Sequence, residues 1–256
     1  MFCRCDLRLR GSFFGLPGLS VRKQFRKKPR AWVVFSQLQT ETIAINQYEL
    51  LAAGKFNDTP ILVGTNSDEG GLFVTHKMTG AAFEQMIRKQ YAAAVDVILK
   101  AYPHATDAEA TKSAKDIFRD STFAWPTWAW ATLQSKNGKN KVLVYYFDHR
   151  PPCLPRERIT PLKSPTFLGT SAEWAAGGAR GDKALSDLIS AYWVNFARNG
   201  DPNDSGLPAW PTFVANEQKT MIFDSTPGAR PLPNMDKIKA FDEYFAKLRE
   251  EAKTKK

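Results

Sequence analysis

The residue types best suited to chemistry lie together in one loop, GTNSDEGGLF, at residues 64–73. The apolar run ILV immediately before this loop predicts a short buried strand. A carboxylate at the carboxyl end of such a strand could orient a catalytic imidazole, because that edge of an α/β sheet opens toward the ligand crevice. Asp68 and Glu69 are the two candidates. The same residues also fit a turn that carries two solvated acids, and the loop alone leaves both interpretations open.

Further along the chain, KVLVYYFD at residues 141–148 predicts a second strand, and its unbroken apolar centre indicates that both faces are covered. LPAWPTF and KTMIFD predict short extended pieces. Periodic apolar residues predict helices. The predicted helices lie at residues 48–56, 81–102 (one helix or a pair), 107–133 with a break at Pro126, 184–199, and from Met235 onward. Strands that alternate with helices favour a layered α/β fold over a helix bundle or a β-sandwich.

The composition limits the class of protein. With 43% hydrophobic residues, 7 Trp and 17 Phe, the 256-residue chain can bury a globular core, which excludes a disordered chain. No segment reaches the roughly 18 consecutive apolar residues of a membrane span, so none is predicted. Cys3 and Cys5 form a close pair without a second pair or a nearby histidine, and the third cysteine is distant. We therefore predict neither a zinc site nor a disulfide framework.

Most of the net charge of +10 belongs to the first thirty residues, which hold nine basic residues and one acidic residue. The other 226 residues carry only +2. Residues 1–45 lack a sustained period and are predicted to form a basic, poorly ordered leader. Basic residues at 22–30 could contact phosphates, but no recognition fold follows them, so we expect no nucleic-acid partner. Gly15, Pro17 and Gly18 interrupt the apolar run that a secretory signal needs, and localisation stays open.

Four segments in order carry a family resemblance: PILVGTNSDEGGLF, DSTFAWP, KVLVYYFDHRPP, and ALSDLISAYWVNFARNGDPN with LPAWPTF. Together they resemble the C-terminal half of type-B carboxylesterases, the α/β-hydrolase family that includes feruloyl-esterase-like enzymes and cholinesterases. The resemblance covers residues 46–154 and 181–248. It implies that 46–256 form the C-terminal part of an α/β-hydrolase domain with an irregular loop at 155–180. Since residues 1–45 and 155–180 depart abruptly from the pattern, a shifted reading frame is a hypothesis for both.

In that family, the resemblance implies, catalysis uses a triad in the order Ser, Glu or Asp, His, and proceeds by acyl transfer. The family's acid is the glutamate of the DEG loop, which corresponds to Glu69, with Asp68 as its neighbour. The implied substrates are small aryl, alkyl or feruloyl-type esters. Acyl transfer by this route implies no metal or organic cofactor.

The other two triad positions have no direct counterpart. No G-x-S-x-G occurs in the chain, and Thr170 or Ser171 stands where the family has its histidine. His149, which follows the second strand, is a substitute candidate for the base, and Ser171 is one for the nucleophile. The remaining serine candidates are Ser20 and Ser67, whereas His76 and His104 are expected at the surface or in packing. Trp125, Trp128 and Trp130 could line an acyl pocket or belong to the core.

Two functions therefore follow from the sequence. One is a serine esterase of the carboxylesterase type. The other is a catalytically inactive fragment or interaction module of the same fold, without the nucleophile elbow and the triad histidine. Part of a hydrolase sheet would leave a strand edge exposed, so the sequence also predicts self-association through that edge.

Overall fold

A computed structural model describes residues 41–149 and 180–254, apart from the side chains of 41–46, 72 and 180–182. Its centre is a four-stranded sheet in the order β1-β2-β3-β4. The strands are β1 (Ile61–Asn66), β2 (Val142–Phe147), β3 (Lys219–Phe223) and β4 (Gly228–Pro231). β1, β2 and β3 run parallel, and β4 is antiparallel to β3. Helices flank this sheet, which confirms the α/β class.

Seven α-helices lie in the described part of the chain. They are α1 (Glu41–Ala52), α2 (Gly80–Gln90), α3 (Val95–Ala101), α4 (Asp107–Arg119), α5 (Trp125–Asn137), α6 (Arg180–Asn199) and α7 (Met235–Thr254). A capping box stabilises the start of α4: the Thr106 side chain accepts from Glu109 N, and the Glu109 side chain accepts from Thr106 N. Both N–H groups would otherwise have no acceptor within the helix. The segment 81–102, predicted as one helix or a pair, contains α2 and α3 and is therefore a helix pair. Within residues 41–149 and 180–254, no helix is long and apolar enough to cross a membrane.

The two faces of β2 are covered by different helices. Val142 and Val144 pack with Ala131 of α5, and Leu143 and Phe147 pack in a cluster that contains residues of α6. Because successive strand residues point to opposite faces, a strand covered on both sides must be apolar throughout. This confirms the expectation drawn from KVLVYYFD. A third cluster, centred on Phe83, Ile98 and Phe241, joins the helices outside the sheet.

The predicted helix break at Pro126 is wrong. A π-helical turn (Asp120–Ala124) leads from α4 into α5, and Pro126 lies in the first turn of α5. A proline is tolerated there because the first N–H groups of a helix have no intrahelical acceptor. The helical run is therefore continuous from Asp107 to Asn137, and its α-helical pattern is interrupted by the π-helical turn before Pro126.

The piece LPAWPTF forms no strand, yet it satisfies the backbone of β2. Phe213 N donates to Val142 O at 2.7 Å, and Trp210 Nε1 donates to Val144 O at 3.1 Å. KTMIFD contains β3, as expected, while the exposed strand β4 was missed because it lacks an apolar face.

Two helices begin earlier than predicted. α1 starts at Glu41 rather than residue 48, and α6 starts at Arg180 rather than residue 184. Apart from residues 41–45 and Arg180, the predicted leader and the predicted irregular loop at 155–180 lie outside the described residues. The same holds for Ser20, Thr170 and Ser171.

Candidate active site

Glu69 lies just beyond the carboxyl end of β1, where it opens a 3-10 turn (Glu69–Leu72). Its side chain is half-buried, and its Oε1 accepts a hydrogen bond from Asn66 Nδ2. Burial raises the pKa of the Glu69 carboxyl, while the Asn66 hydrogen bond and the nearby Arg119 charge oppose this rise. The carboxylate is therefore held in a fixed place at the sheet edge, and it does not project into bulk water as the solvated-turn interpretation required.

His149 lies at the same side of the sheet as Glu69, where the carboxyl ends of β1 and β2 meet. β1 and β2 are parallel, with Asn66 opposite Phe147, and Ser67 N donates to Phe147 O at 2.9 Å. His149 follows the end of β2 by two residues, is half-buried, and packs edge-on against the Phe147 ring with centroids 6.4 Å apart. Parallel pairing thus brings the loop of Glu69 and the segment of His149 to one edge.

Tyr145 is a neighbour of Glu69 that the sequence did not single out. Its ring lies over Gly64, where an added Cβ would come within 2.4 Å of the ring atoms, so only glycine fits at this position. Burial, followed by the negative charge of Glu69, raises the pKa of Tyr145 to about 12. The alternation of β2 places Tyr145 on the same face as Leu143 and Phe147. This alternation is the sequence signal that could have placed Tyr145 on that face of β2.

The loop that carries Glu69 rests directly on α4. A Cβ at Gly70 would lie 2.0 Å from Lys115 O, so this glycine allows the two backbones to approach. Phe73 stacks on Phe118 with ring centroids 4.6 Å apart. Gly70 of the DEGG sequence therefore has a packing role that is separate from any chemistry.

A buried charged cluster lies at the end of α4, beneath this loop. Arg119 donates from Nε to Asp120 Oδ1 at 2.6 Å and from Nη2 to Asp120 Oδ2 at 2.9 Å. Tyr102 Oη donates to Asp120 Oδ2 at 2.8 Å. Asp116 accepts from Lys112 at 2.5 Å and from Lys237 of α7 at 2.6 Å. Each buried charge thus has a partner of opposite sign, as a low-dielectric interior requires.

Asp116 should contribute a pH dependence to stability. Burial raises its pKa, but Arg119, Lys112 and Lys237 outweigh burial, and the net pKa lies below the ordinary value of 3.8. An acid with a depressed folded-state pKa contributes stability above its unfolded-state pKa and loses it as the pH falls through the folded-state pKa. We expect Asp116→Asn to flatten the decline in unfolding free energy below about pH 4.

Urea unfolding at a series of acidic pH values measures this effect. The control is Glu217→Gln, since Glu217 is exposed and its partner Lys219 is exposed as well. This control should keep the wild-type decline. An equal decline in wild type and Asp116→Asn would contradict the assignment of the acid sensitivity to Asp116.

The remaining candidates lie apart from this cluster. His76 is exposed, whereas His104 packs against Phe83 with ring centroids 5.3 Å apart. These two placements agree with the surface or packing roles expected for them. Ser67 lies beside the acid, on the same loop, and the structure shows its backbone N–H and C=O in hydrogen bonds. No group of three or more His, Cys, Asp or Glu able to hold a metal ion occurs in residues 41–149 and 180–254.

The tryptophans differ in burial. Trp125 is buried and stacks on Phe245 with ring centroids 3.9 Å apart, whereas Trp130 is 41% exposed. Trp128 lines an internal cavity together with Arg119 and Asp120. Trp125 therefore belongs to the core, and none of the three contacts Glu69 among the ring contacts and hydrogen bonds described.

Comparison with known proteins gives the family. A family model described as "Carboxylesterase family" matches residues 20–240, a range that begins within the leader and runs across 155–180. The chain is 27% identical over 225 residues to "Carboxylesterase 1C" of Rattus norvegicus, covering 78% of this chain and 40% of that protein. It is 30% identical to "Liver carboxylesterase 1" of Oryctolagus cuniculus, covering 78% and 39%.

Among solved structures, "PNB esterase" matches with a TM-score of 0.61 and 24% identity, over 75% of this chain and 40% of that one. This match supports the esterase-like α/β fold. The chain spans about two fifths of the length of these relatives. The family model covers well over half of the chain, and this protein therefore belongs to the carboxylesterase family.

Proposed function

We propose that this protein hydrolyses carboxylic esters by serine acyl transfer, with Glu69 as the acid of the triad and small aryl, alkyl or feruloyl-type esters as substrates. The observation that carries the proposal is the position of the Glu69 carboxylate, which is half-buried at the carboxyl end of a parallel strand and hydrogen-bonded to Asn66. Membership of the carboxylesterase family supports the same chemistry.

Glu69 would act on a histidine rather than on the ester. Its carboxylate would accept a hydrogen bond from the histidine Nδ1–H, so that Nε2 is free to take the proton of the serine hydroxyl as the oxygen attacks the ester carbonyl. The alcohol leaves with that proton. Water would then attack the acyl-enzyme while the histidine takes its proton, and the serine oxygen would leave with that proton as the carboxylic acid is released. Burial raises the pKa of Glu69, and the Asn66 hydrogen bond and the Arg119 charge limit that rise, which favours the ionised form that this role needs.

His149 is the proposed histidine because β1 and β2 bring its segment to the edge where Glu69 lies. Ser171 is the proposed nucleophile on the basis of sequence alone. Self-association also stays a prediction, and what supports it is that β1 pairs with β2 and with no other strand among residues 41–149 and 180–254.

The proposal is tested with the full chain, by release of p-nitrophenol from p-nitrophenyl butyrate and by labelling with a fluorophosphonate. We expect turnover above buffer, together with covalent labelling of one serine that peptide mass mapping identifies. Ser171→Ala should abolish both signals, and His149→Asn should remove turnover. His76→Asn is the matched control, since His76 is exposed and lies outside the segment that follows β2.

The outcomes separate the candidate functions. Labelling at Ser67 or Ser20 would keep the esterase proposal and replace Ser171 as nucleophile. Turnover no faster than buffer, with no serine labelled, would overturn the esterase proposal and support the catalytically inactive interaction module.

A further inference from the structure

We propose that Arg119 is a positioning residue for Glu69, because its guanidinium ties the loop that carries the acid to the buried end of α4. Where it concerns catalysis, this inference rests on the proposed function of Glu69. Where it concerns the position of the loop, it rests on the contacts of Arg119 alone.

The contact that carries the inference is a hydrogen bond from Arg119 Nη1 to Ser67 O at 2.9 Å. Ser67 directly follows Asn66, whose side chain bonds the Glu69 carboxylate, and precedes the acid by two residues. The Arg119 side chain is only 5% exposed. A hydrogen bond from a buried charged donor is stronger than a neutral one, so this bond restrains the backbone from which Glu69 projects.

The guanidinium itself is held in place by Asp120. Two parallel hydrogen bonds, from Nε and Nη2, fix its plane, and they leave Nη1 directed at the Ser67 carbonyl. A planar fork with several donors can hold a carboxylate and a carbonyl at once, whereas the compact ammonium of lysine cannot span both. The geometry therefore makes use of arginine specifically, beyond its charge.

Arg119 is not the sole partner that neutralises Asp116. Asp116 already has Lys112 and Lys237 at 2.5 and 2.6 Å, and its distance to Arg119 Nη1 is longer, at 3.4 Å. Lys237 belongs to the same buried cluster but makes no described contact with the loop. It therefore provides a matched comparison for Arg119.

The test compares Arg119→Lys with Lys237→Gln in the full chain by amide hydrogen exchange. Phe73 N and Val74 N both donate to Gly70 O in the turn that follows Glu69, so their exchange reports opening of this loop. Loss of the Arg119 bond should raise their exchange about tenfold in Arg119→Lys, as expected for roughly 1.4 kcal/mol. Lys237→Gln should stay within about twofold of wild type there. The β2 amides report global unfolding, so the loop effect is the rise in Phe73 and Val74 exchange beyond any rise at the β2 amides of the same variant.

A second readout follows the carboxylate itself. The side-chain amide of Asn66 bonds Glu69, so its NMR resonance should move in Arg119→Lys and stay in place in Lys237→Gln. With active enzyme, Arg119→Lys should lower kcat for p-nitrophenyl butyrate while KM stays within about twofold, because positioning affects the chemical step.

These readouts keep the two proposals apart. Faster loop exchange and a shifted Asn66 resonance confined to Arg119→Lys would support the positioning role even if the wild type fails to hydrolyse esters, in which case only the esterase proposal fails. Equal loop exchange in both variants, or no change in Arg119→Lys, would overturn the positioning role whatever the activity.

Discussion

Glu69→Gln should lower kcat/KM for p-nitrophenyl butyrate by about 10⁴-fold, the size of loss seen when the acid of a serine triad becomes an amide. A glutamine side chain has nearly the same shape, and its carbonyl oxygen can still accept from Asn66. It cannot hold the histidine tautomer that accepts the serine proton or stabilise the imidazolium that forms. The loss should appear in kcat, with the thermal unfolding midpoint close to that of wild type.

Glu84→Gln is the control for this substitution. Glu84 lies in α2, where its exposed side chain pairs with Arg88 and has no described contact with the loop that carries Glu69. Its activity should equal that of wild type. Full activity in Glu69→Gln would show that Glu69 is not the triad acid, even if hydrolysis by the chain is real.

Asp120→Ala should lower the free energy of unfolding by about 3–5 kcal/mol, the usual cost of removing one member of a buried ion pair. Asp120 is 1% exposed and receives two hydrogen bonds from Arg119 and one from Tyr102. Its removal leaves the guanidinium buried with its principal partner gone, and the Tyr102 hydroxyl without its acceptor. Urea unfolding monitored by tryptophan fluorescence measures the change.

A double variant tests the stated reason for this loss. Arg119→Met combined with Asp120→Leu removes both charges and fills the space with apolar atoms, so it should be less destabilised than Asp120→Ala alone. Glu217→Ala, at an exposed pair, should leave the unfolding free energy at its wild-type value. If Asp120→Ala is as stable as wild type, the buried cluster contributes nothing measurable and its assigned role is wrong.

Local signals in the sequence were sufficient for most of the fold. The run ILV and the segment KVLVYYFD each form a parallel strand, as their β-branched and aromatic residues favour. β2 is covered on both faces as expected, whereas β1 ends the order of strands and its ILV residues are half-buried rather than buried. The helix break predicted at Pro126 is wrong because a proline interrupts a helix only beyond its first turn, and Pro126 lies in the first turn of α5. The periodicity of the apolar residues does not indicate the π-helical turn that precedes it. The short strand β4 lacks the alternating apolar residues that predict a strand.

For the candidate site, a strand signal, the DEG residues after it and the resemblance to carboxylesterases were enough to select the loop and Glu69 as the candidate acid. It could not select Arg119, whose contact with Ser67 joins residues 52 positions apart. It also could not show that the charge of Glu69 acts on Tyr145. Those partners depend on how α4 packs under the loop and how β2 pairs with β1. Local propensity is set by a few neighbouring residues, whereas such contacts arise only when distant elements bury their surfaces against each other, so they are visible only in the folded chain.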